Sequence, residues 1–329
     1  MSSDPRTVAI ACQGGGSHTA FTAGVLSELL EDETLDREVE IAGFSGTSGG
    51  AVCALLAWYG REHPDHEPGE LLADYWADMA ARGPVERLGN EAVRWTGRLQ
   101  RLGIPTPEVS PYQSPAALWG RREFLDLLER HVDFEAIPDL LDGSEPALLI
   151  SAANVLSGEF RLFREDELSP EAILASAAIP YVFPAEEVNG NYYWDGLFSK
   201  NPPIKEFVSN RETPDPDEIW VIKINPQERP RVPKSLEGIA DRRNELAGNK
   251  SLNGEVGFVE QLNDWIEAGY LPEKFTHTEV ERIRFRRPDL GWRTKLDRSP
   301  EFLEGLFANG EDAAAAFLDD RETTGNDGV

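Results

Sequence analysis

Ser48 stands in Gly46-Thr47-Ser48-Gly49-Gly50, directly after the apolar run Val39-Glu40-Ile41-Ala42-Gly43-Phe44 and before the helix-like run Ala51-Val52-Cys53-Ala54-Leu55-Leu56-Ala57-Trp58. A serine on a tight strand-to-helix turn is pushed out of the sheet, and the glycines Gly46 and Gly50 leave room where strand and helix nearly touch. That placement suits a nucleophile. A second glycine cluster, Gln13-Gly14-Gly15-Gly16-Ser17-His18-Thr19, ends the first apolar run and opens a helix. Successive backbone N–H groups beside a helix N-terminus hold a phosphate or a developing oxyanion. A dinucleotide fingerprint needs glycine where Thr19 stands, and a Walker A loop needs G-K-[S/T], which the chain lacks. Nucleotide binding is therefore disfavoured.

A serine nucleophile needs a base. The five histidines, His18, His63, His66, His131 and His277, include none in a turn that faces Ser48. Trp194-Asp195-Gly196-Leu197 offers a carboxylate instead, because Asp195 ends a short strand-like run and Gly196 permits a sharp exit. His18, at a helix start, either faces solvent or joins the site. No cluster of His, Cys and carboxylates has ligand spacing, so no metal and no cofactor is expected.

Alternating strand and helix signals must position these groups. Strands are expected at Thr7–Cys12, Glu40–Phe44, Pro146–Ala153 and Ile219–Asn225, and helices at Thr19–Glu31, Gly49–Tyr59, Arg121–Val132 and Pro170–Ala177. The pattern reads as a mostly parallel sheet covered by helices on both faces. Asn189-Gly190, between Glu186-Glu187-Val188 and Asn191-Tyr192-Tyr193-Trp194, predicts a type I′ hairpin that delivers Asp195. Residues 61–117 read as a helical cap or insertion, with helices at Gly69–Arg82 and Pro84–Arg101 followed by the Pro105, Pro107, Pro111 and Pro115 series. It is expected to lie over the site, either as a lid that meets lipid or as a cap packed on the core. Beyond the charged stretch Gln227–Lys234 come helical segments, a strand-like Val280–Arg287, a helix near Pro300–Arg321 and a disordered tail from Glu322.

The 329 residues carry a formal charge of −27, from 59 acidic against 32 basic residues. Such a field repels phosphates, which argues against nucleic acid and against adsorption to anionic membranes and favours neutral or cationic surfaces. The basic residues are mostly arginine, a skew that resembles proteins of salt-loving organisms; an ordinary acidic cytosolic enzyme is the alternative. Apolar runs are too short for a membrane span or a signal peptide, which makes the cytoplasm the expected address, with peripheral association with a membrane or storage granule allowed. Cys12 and Cys53 both lie in core-like runs and read as buried free thiols.

Gly14-Gly15-Gly16-Ser17-His18-Thr19, Gly46-Thr47-Ser48-Gly49-Gly50, Leu174-Ala175-Ser176-Ala177-Ala178-Ile179-Pro180-Tyr181-Val182-Phe183-Pro184 and Asp195-Gly196-Leu197 resemble, in this order, the signatures of patatin-like acyl hydrolases. The resemblance runs from about Thr7 to Val208. It implies a three-layer α/β fold, lipid ester hydrolysis, and a Ser-Asp dyad without histidine. Carried onto this chain, Ser48 is the nucleophile, Asp195 the base, and the amides of Gly14, Gly15 and Gly16 the oxyanion donors, supported by Gly46, Gly50, Gly196 and His18. Residues 6–209 would form the family domain, and 210–329 a C-terminal strand plus helical extension on the same core. The sequence departs from the family at three positions: His18 replaces arginine or lysine, Thr19 replaces glycine, and Leu197 replaces glycine or alanine.

Three alternatives stay open. An intracellular polyhydroxyalkanoate depolymerase would use the same dyad; a noncatalytic lipid-surface binding protein would keep only the fold; an α/β-hydrolase triad would add His277 to Ser48 and Asp195. A lipid or polyester surface is the expected partner in each.

Overall fold

Eight strands form one sheet in the computed structural model, which describes residues 5–101, 109–209, 215–272, 274–287 and 290–326. The strands are β1 (Arg6–Cys12), β2 (Val39–Gly46), β3 (Ala147–Asn154), β4 (Phe160–Phe163), β5 (Glu186–Val188), β6 (Asn191–Asp195), β7 (Glu218–Lys223) and β8 (Glu279–Arg284). Their order is β5-β6-β3-β2-β1-β7-β8, with β4 on β3. Pairs β1–β2, β2–β3, β1–β7 and β7–β8 are parallel, whereas β4 and β6 run antiparallel to β3 and β5 antiparallel to β6. The hairpin β5–β6 turns at Asn189 (φ 50°) and Gly190 (φ 76°), the left-handed pair that a type I′ turn requires.

Period-two alternation in β1 explains the layers. Val8, Ile10 and Cys12 enter one core and Ala9 and Ala11 the other. The first core is closed by α1 (Ala20–Glu31), α3 (Gly49–Glu62), α4 (Pro68–Met79), α6 (Pro115–His131), α7 (Pro170–Ala177) and α10 (Pro300–Asn326), through residues such as Leu26, Leu56, Leu72, Leu128, Ile173 and Leu306. The second is closed by α8 (Lys205–Ser209) and α9 (Leu236–Glu267), whose Leu252, Val256 and Val259 recur at helical spacing. The short α2 (Glu33–Glu38) is capped by Asp32, and α5 (Pro84–Arg101) follows α4.

The four expected strands and four expected helices all form, with ends shifted by a few residues. Three features differ from the sequence reading. β4 and α2 are additions, the helical segments after Lys234 are the single helix α9, and α10 runs on through Asn326 where a disordered tail was expected from Glu322. Pro105 and Pro107 lie outside the described residues, as do residues 327–329. In the 61–117 region, α4 packs on α1 and α3 with Tyr75 and Trp76 buried, while α5 reaches the 3-10 turn Trp292–Leu296 and the residues just after it. Asn90 of α5 donates to Asp297 at 3.1 Å, and Arg94 pairs with Asp297 at 3.4 Å.

Candidate active site

Strand register sets the height of the site. Cys12 lies opposite Gly46, and Gly46 opposite Ile150, so the ends of β1, β2 and β3 make one row. Two residues beyond that row stand Gly14, Ser48 and Ala152, and Ala152 pairs with Asp195. Ile150 pairs with both Gly46 and Phe163, and Ala152 with both Arg161 and Asp195, so β4 takes one edge of β3 while β2 and β6 share the other. The antiparallel β6 thus ends head-on against the turn through which β2 leaves the sheet. Chain order also reverses at β1, whose neighbours are β2 and β7, and crevices at the carboxyl ends of strands at such a switch bind ligands in open α/β sheets.

Ser48 has φ 58° and ψ −131°, a conformation seldom held by a residue with a side chain, and it caps α3. Its N–H donates to Ser176 Oγ at 3.0 Å. Thr47 and Ser151 hydroxyls meet at 2.7 Å and gather around the Lys200 carbonyl at 2.8 and 2.6 Å, tying the turn to β3 and to the chain after Asp195. At Gly50 a Cβ would meet the Cys12 carbonyl oxygen at 2.3 Å, which explains the glycine. Gly46 ends β2 and Gly196 starts the 3-10 turn after Asp195.

Asp195 is 1% exposed, accepts from the Leu197 N–H at 2.8 Å and lines the same cleft as Ser48. Burial pushes its carboxyl up to about 7, against the opposing pull of the Leu197 N–H, the Ser48 hydroxyl and the Lys295 ammonium. Ser48 itself is 6% exposed. The pair faces a cleft of about 30 Å³, walled by the glycine loop, Ile179, Leu197, Asn201, Lys295 and Leu296, which has room for a water molecule or two.

The glycine loop divides its tasks. Gly14 N–H donates to Asn201 Oδ1 at 2.7 Å, so the expectation that it serves an oxyanion is corrected: that proton is taken. Among the described residues no protein acceptor meets the N–H groups of Gly15 and Gly16. Gly16, at φ 59°, opens the 3-10 turn Gly16–Thr19, and a Cβ there would meet the Lys295 carbonyl oxygen at 2.3 Å. Thr19 uses its hydroxyl to cap the loop, donating to the Gly16 carbonyl at 2.6 Å.

His18 corrects both expectations set for it. It is 3% exposed, and its ring lies against Phe285 and Phe302, outside the cleft wall. Its Nε2 meets Thr294 Oγ1 at 2.7 Å; the threonine proton goes to the Gly291 carbonyl, so Nε2–H is the donor. His277 is half exposed beside Glu267 at 3.7 Å, and among the described residues no histidine lines the cleft, which removes the triad reading. Cys12 and Cys53 are free and buried; burial raises both thiols, that of Cys53 to about 12. Among the described residues no group of His, Cys, Asp and Glu forms a metal site.

Sequence reasoning missed Lys295, Asn201, Asn225 and Asn244 in the cleft wall. Ser176 and Ile179 lie within the Leu174–Pro184 signature, whereas nothing local to Lys295 marks it.

The architecture is that of an α/β protein with a serine-bearing strand-to-helix turn, a buried aspartate against it and a glycine loop alongside. The chain belongs to the patatin-like phospholipase family, whose model matches residues 10–208. Curated protein sequences gave no match. Among solved structures it is similar to VipD from Legionella pneumophila (14% identity, 96% of this chain and 67% of that one, TM-score 0.42). It is similar also to the ExoU–SpcU complex of Pseudomonas aeruginosa (15%, 96% and 52%, TM-score 0.41) and to human GIVD cytosolic phospholipase A2 (22%, 49% and 23%, TM-score 0.30). The chain spans about half of the second and a quarter of the third. Among the described residues no helix is long and apolar enough to cross a membrane.

Proposed function

We propose that the protein is a serine carboxylic-ester hydrolase acting on lipid esters, with Ser48 as nucleophile and Asp195 as its base. The buried Asp195 carboxyl, raised to about 7 on the same cleft as Ser48 and the glycine loop, carries this reading. As Ser48 Oγ attacks the ester carbonyl carbon, its proton passes to Asp195 and the carbonyl electron pair becomes an oxyanion, received by the N–H groups of Gly15 and Gly16. Collapse of that intermediate expels the alcohol, which takes the proton; water, activated by Asp195, then releases the acyl group. A carboxyl near pH 7 is a far better base than an ordinary aspartate, because it keeps enough proton affinity to take the serine proton while still partly ionised at neutral pH.

The substrate is a lipid carboxylic ester of the phospholipase or lipase type. The charge of −27 favours a second substrate with the same dyad, a neutral storage polyester such as polyhydroxyalkanoate, over an anionic bilayer, and fits a cytoplasmic enzyme that visits a granule or membrane surface. The cleft has room for only a water molecule or two as it stands, so an acyl chain must displace wall residues such as Leu197 or Leu296 to enter.

Turnover of p-nitrophenyl butyrate tests the chemistry. Ser48→Ala should lose about 10³-fold or more, and Asp195→Asn nearly as much. An alkyl fluorophosphonate should label the wild type at Ser48 and spare Ser48→Ala. A Ser48→Ala variant with wild-type turnover would falsify the assignment, and acyl release from phospholipid vesicles against polyester granules decides the substrate.

A further inference from the structure

The matched family region ends at residue 208, yet one wall of the cleft comes from beyond it. Lys295 reaches the cleft from the 3-10 turn Trp292–Leu296 with a side chain only 10% exposed. Its ammonium donates to Asn225 Oδ1 at 3.0 Å and faces Asp241 Oδ1 at 3.5 Å. An ammonium has three N–H groups, and among the described residues no third acceptor takes the last one. Burying a lysine costs free energy unless something uses its charge.

The turn is pinned so that this ammonium stays in the cleft wall. Gly16 packs on the Lys295 carbonyl, His18 holds Thr294, and Asp297 is held from α5 by Asn90 and Arg94. Asn225 joins the charge to the glycine loop, since its Nδ2 donates to the Gly14 carbonyl at 3.3 Å while its Oδ1 accepts from Lys295. Asp241 does not neutralise Lys295 by itself, because it also pairs with Arg229 at 3.6 Å, within a cluster that includes Glu245 and Arg242. Lys295 lines the same cleft as Asp195, and its charge opposes the rise that burial gives the Asp195 carboxyl.

We propose that Lys295 is the fixed positive charge of the reaction centre, a positioning residue contributed by the C-terminal extension that steadies negative charge as it moves between Asp195 and the substrate oxygen at Gly15 and Gly16. This rests on the serine-hydrolase reading. In the attack step the proton leaves Ser48 for Asp195 while electrons leave the carbonyl bond for its oxygen, so one negative charge crosses the cleft and total charge is unchanged. A cation lowers the barrier where it favours the oxyanion over the starting carboxylate, and Lys295 is joined through Asn225 to the glycine loop that receives the oxyanion.

The test is the pH dependence of kcat/KM for p-nitrophenyl butyrate in the full chain. Activity requires ionised Asp195, so it should rise with pH along an acid limb near 7. Lys295→Met removes the stabilising cation, which should move that limb to higher pH and lower kcat about tenfold or more, and Lys295→Arg should return the limb toward the wild-type position. Should Lys295→Met unfold for want of a partner for Asp241, the double variant Lys295→Met/Asp241→Asn removes both charges and should show the same limb shift. A wild-type profile in a folded Lys295→Met protein, or a slowed one whose limb is unmoved and which Lys295→Arg does not rescue, overturns the proposal while leaving Ser48 labelling intact. Wild-type protein that neither turns over ester nor labels at Ser48 overturns the hydrolase reading itself, and this assignment with it.

Discussion

A carboxyl with 1% exposure and one lysine bearing on it keeps its proton to about pH 7 in the folded chain, whereas the unfolded chain releases it near 3.8. The folded-state value is raised, so the contribution to stability is full below 3.8 and is lost as pH rises through about 7. Asp195→Asn should therefore raise the melting temperature at pH 8, with the gain shrinking toward pH 4, since the asparagine carbonyl still accepts from Leu197. Equal shifts at both pH values would mean that Asp195 is not desolvated. At this scale Ser48 and Asp195 were legible in the sequence because turn chemistry is local: a serine between glycines, an aspartate before one. The fate of each loop amide was not. That Gly14 is spent on Asn201, that His18 turns toward Phe285, and that Gly16 packs on Lys295 depend on partners brought in by tertiary packing. A methyl at Gly16 would meet the Lys295 carbonyl, so Gly16→Ala should disturb folding as well as the site.

Among the elements, long periodic segments were readable and short or distant ones were not. Pro170–Ala177 matches α7 to the residue, and the Asn189-Gly190 turn gave the hairpin, since each carries a signal within a few residues. Phe160-Arg161-Leu162-Phe163 is too short for its alternation to stand out, and it becomes β4 because β3 offers it an edge. The docking of α10 was equally hidden, as it combines packing along α1 with a pair to one buried charge. Glu218, at the start of β7, has a fully buried side chain that Arg321 of α10 meets at 2.5 and 3.0 Å and Arg6 at 2.7 Å. Burial opposes its ionisation, but the hydrogen bonds from Arg321 and Trp220 and the charges of Arg321 and Arg6 prevail and hold the carboxyl below its usual value. Arg321 also covers the Trp220 ring, 4.8 Å from its centroid. Arg321→Ala should cost about 3 kcal/mol at pH 7, as for a broken buried pair. A depressed carboxyl contributes stability above its unfolded value and loses it as pH falls, so the deficit should narrow on acidification below the usual glutamate range. Urea unfolding at pH 7 and pH 3 checks this; an equal deficit at both would make α10 docking a matter of packing alone.

For the whole molecule, the fold class follows from alternating strands and helices, and the excess of 59 acidic over 32 basic residues sets how that fold responds to its solvent. The ion pairs that organise the interior gather Arg229, Arg242 and Lys295 around Asp241 and Glu245, and Arg6 and Arg321 around Glu218. Among the described residues few other carboxylates are buried, so the surface stays strongly acidic. Mutual repulsion among exposed carboxylates raises the free energy of the compact state, since unfolding moves them apart. The screening length is about 10 Å at 0.1 M salt and about 3 Å at 1 M, so molar salt should remove most of that repulsion while leaving the buried pairs nearly intact. The melting temperature should rise between dilute buffer and 1 M KCl, and ester turnover at a fixed temperature should be better retained. Comparison of KCl with equimolar NaCl separates screening, which is the same for both, from specific cation binding. A melting temperature that is flat or falls with salt would show that the surface charge is locally compensated and that no adaptation to salt is built into this chain.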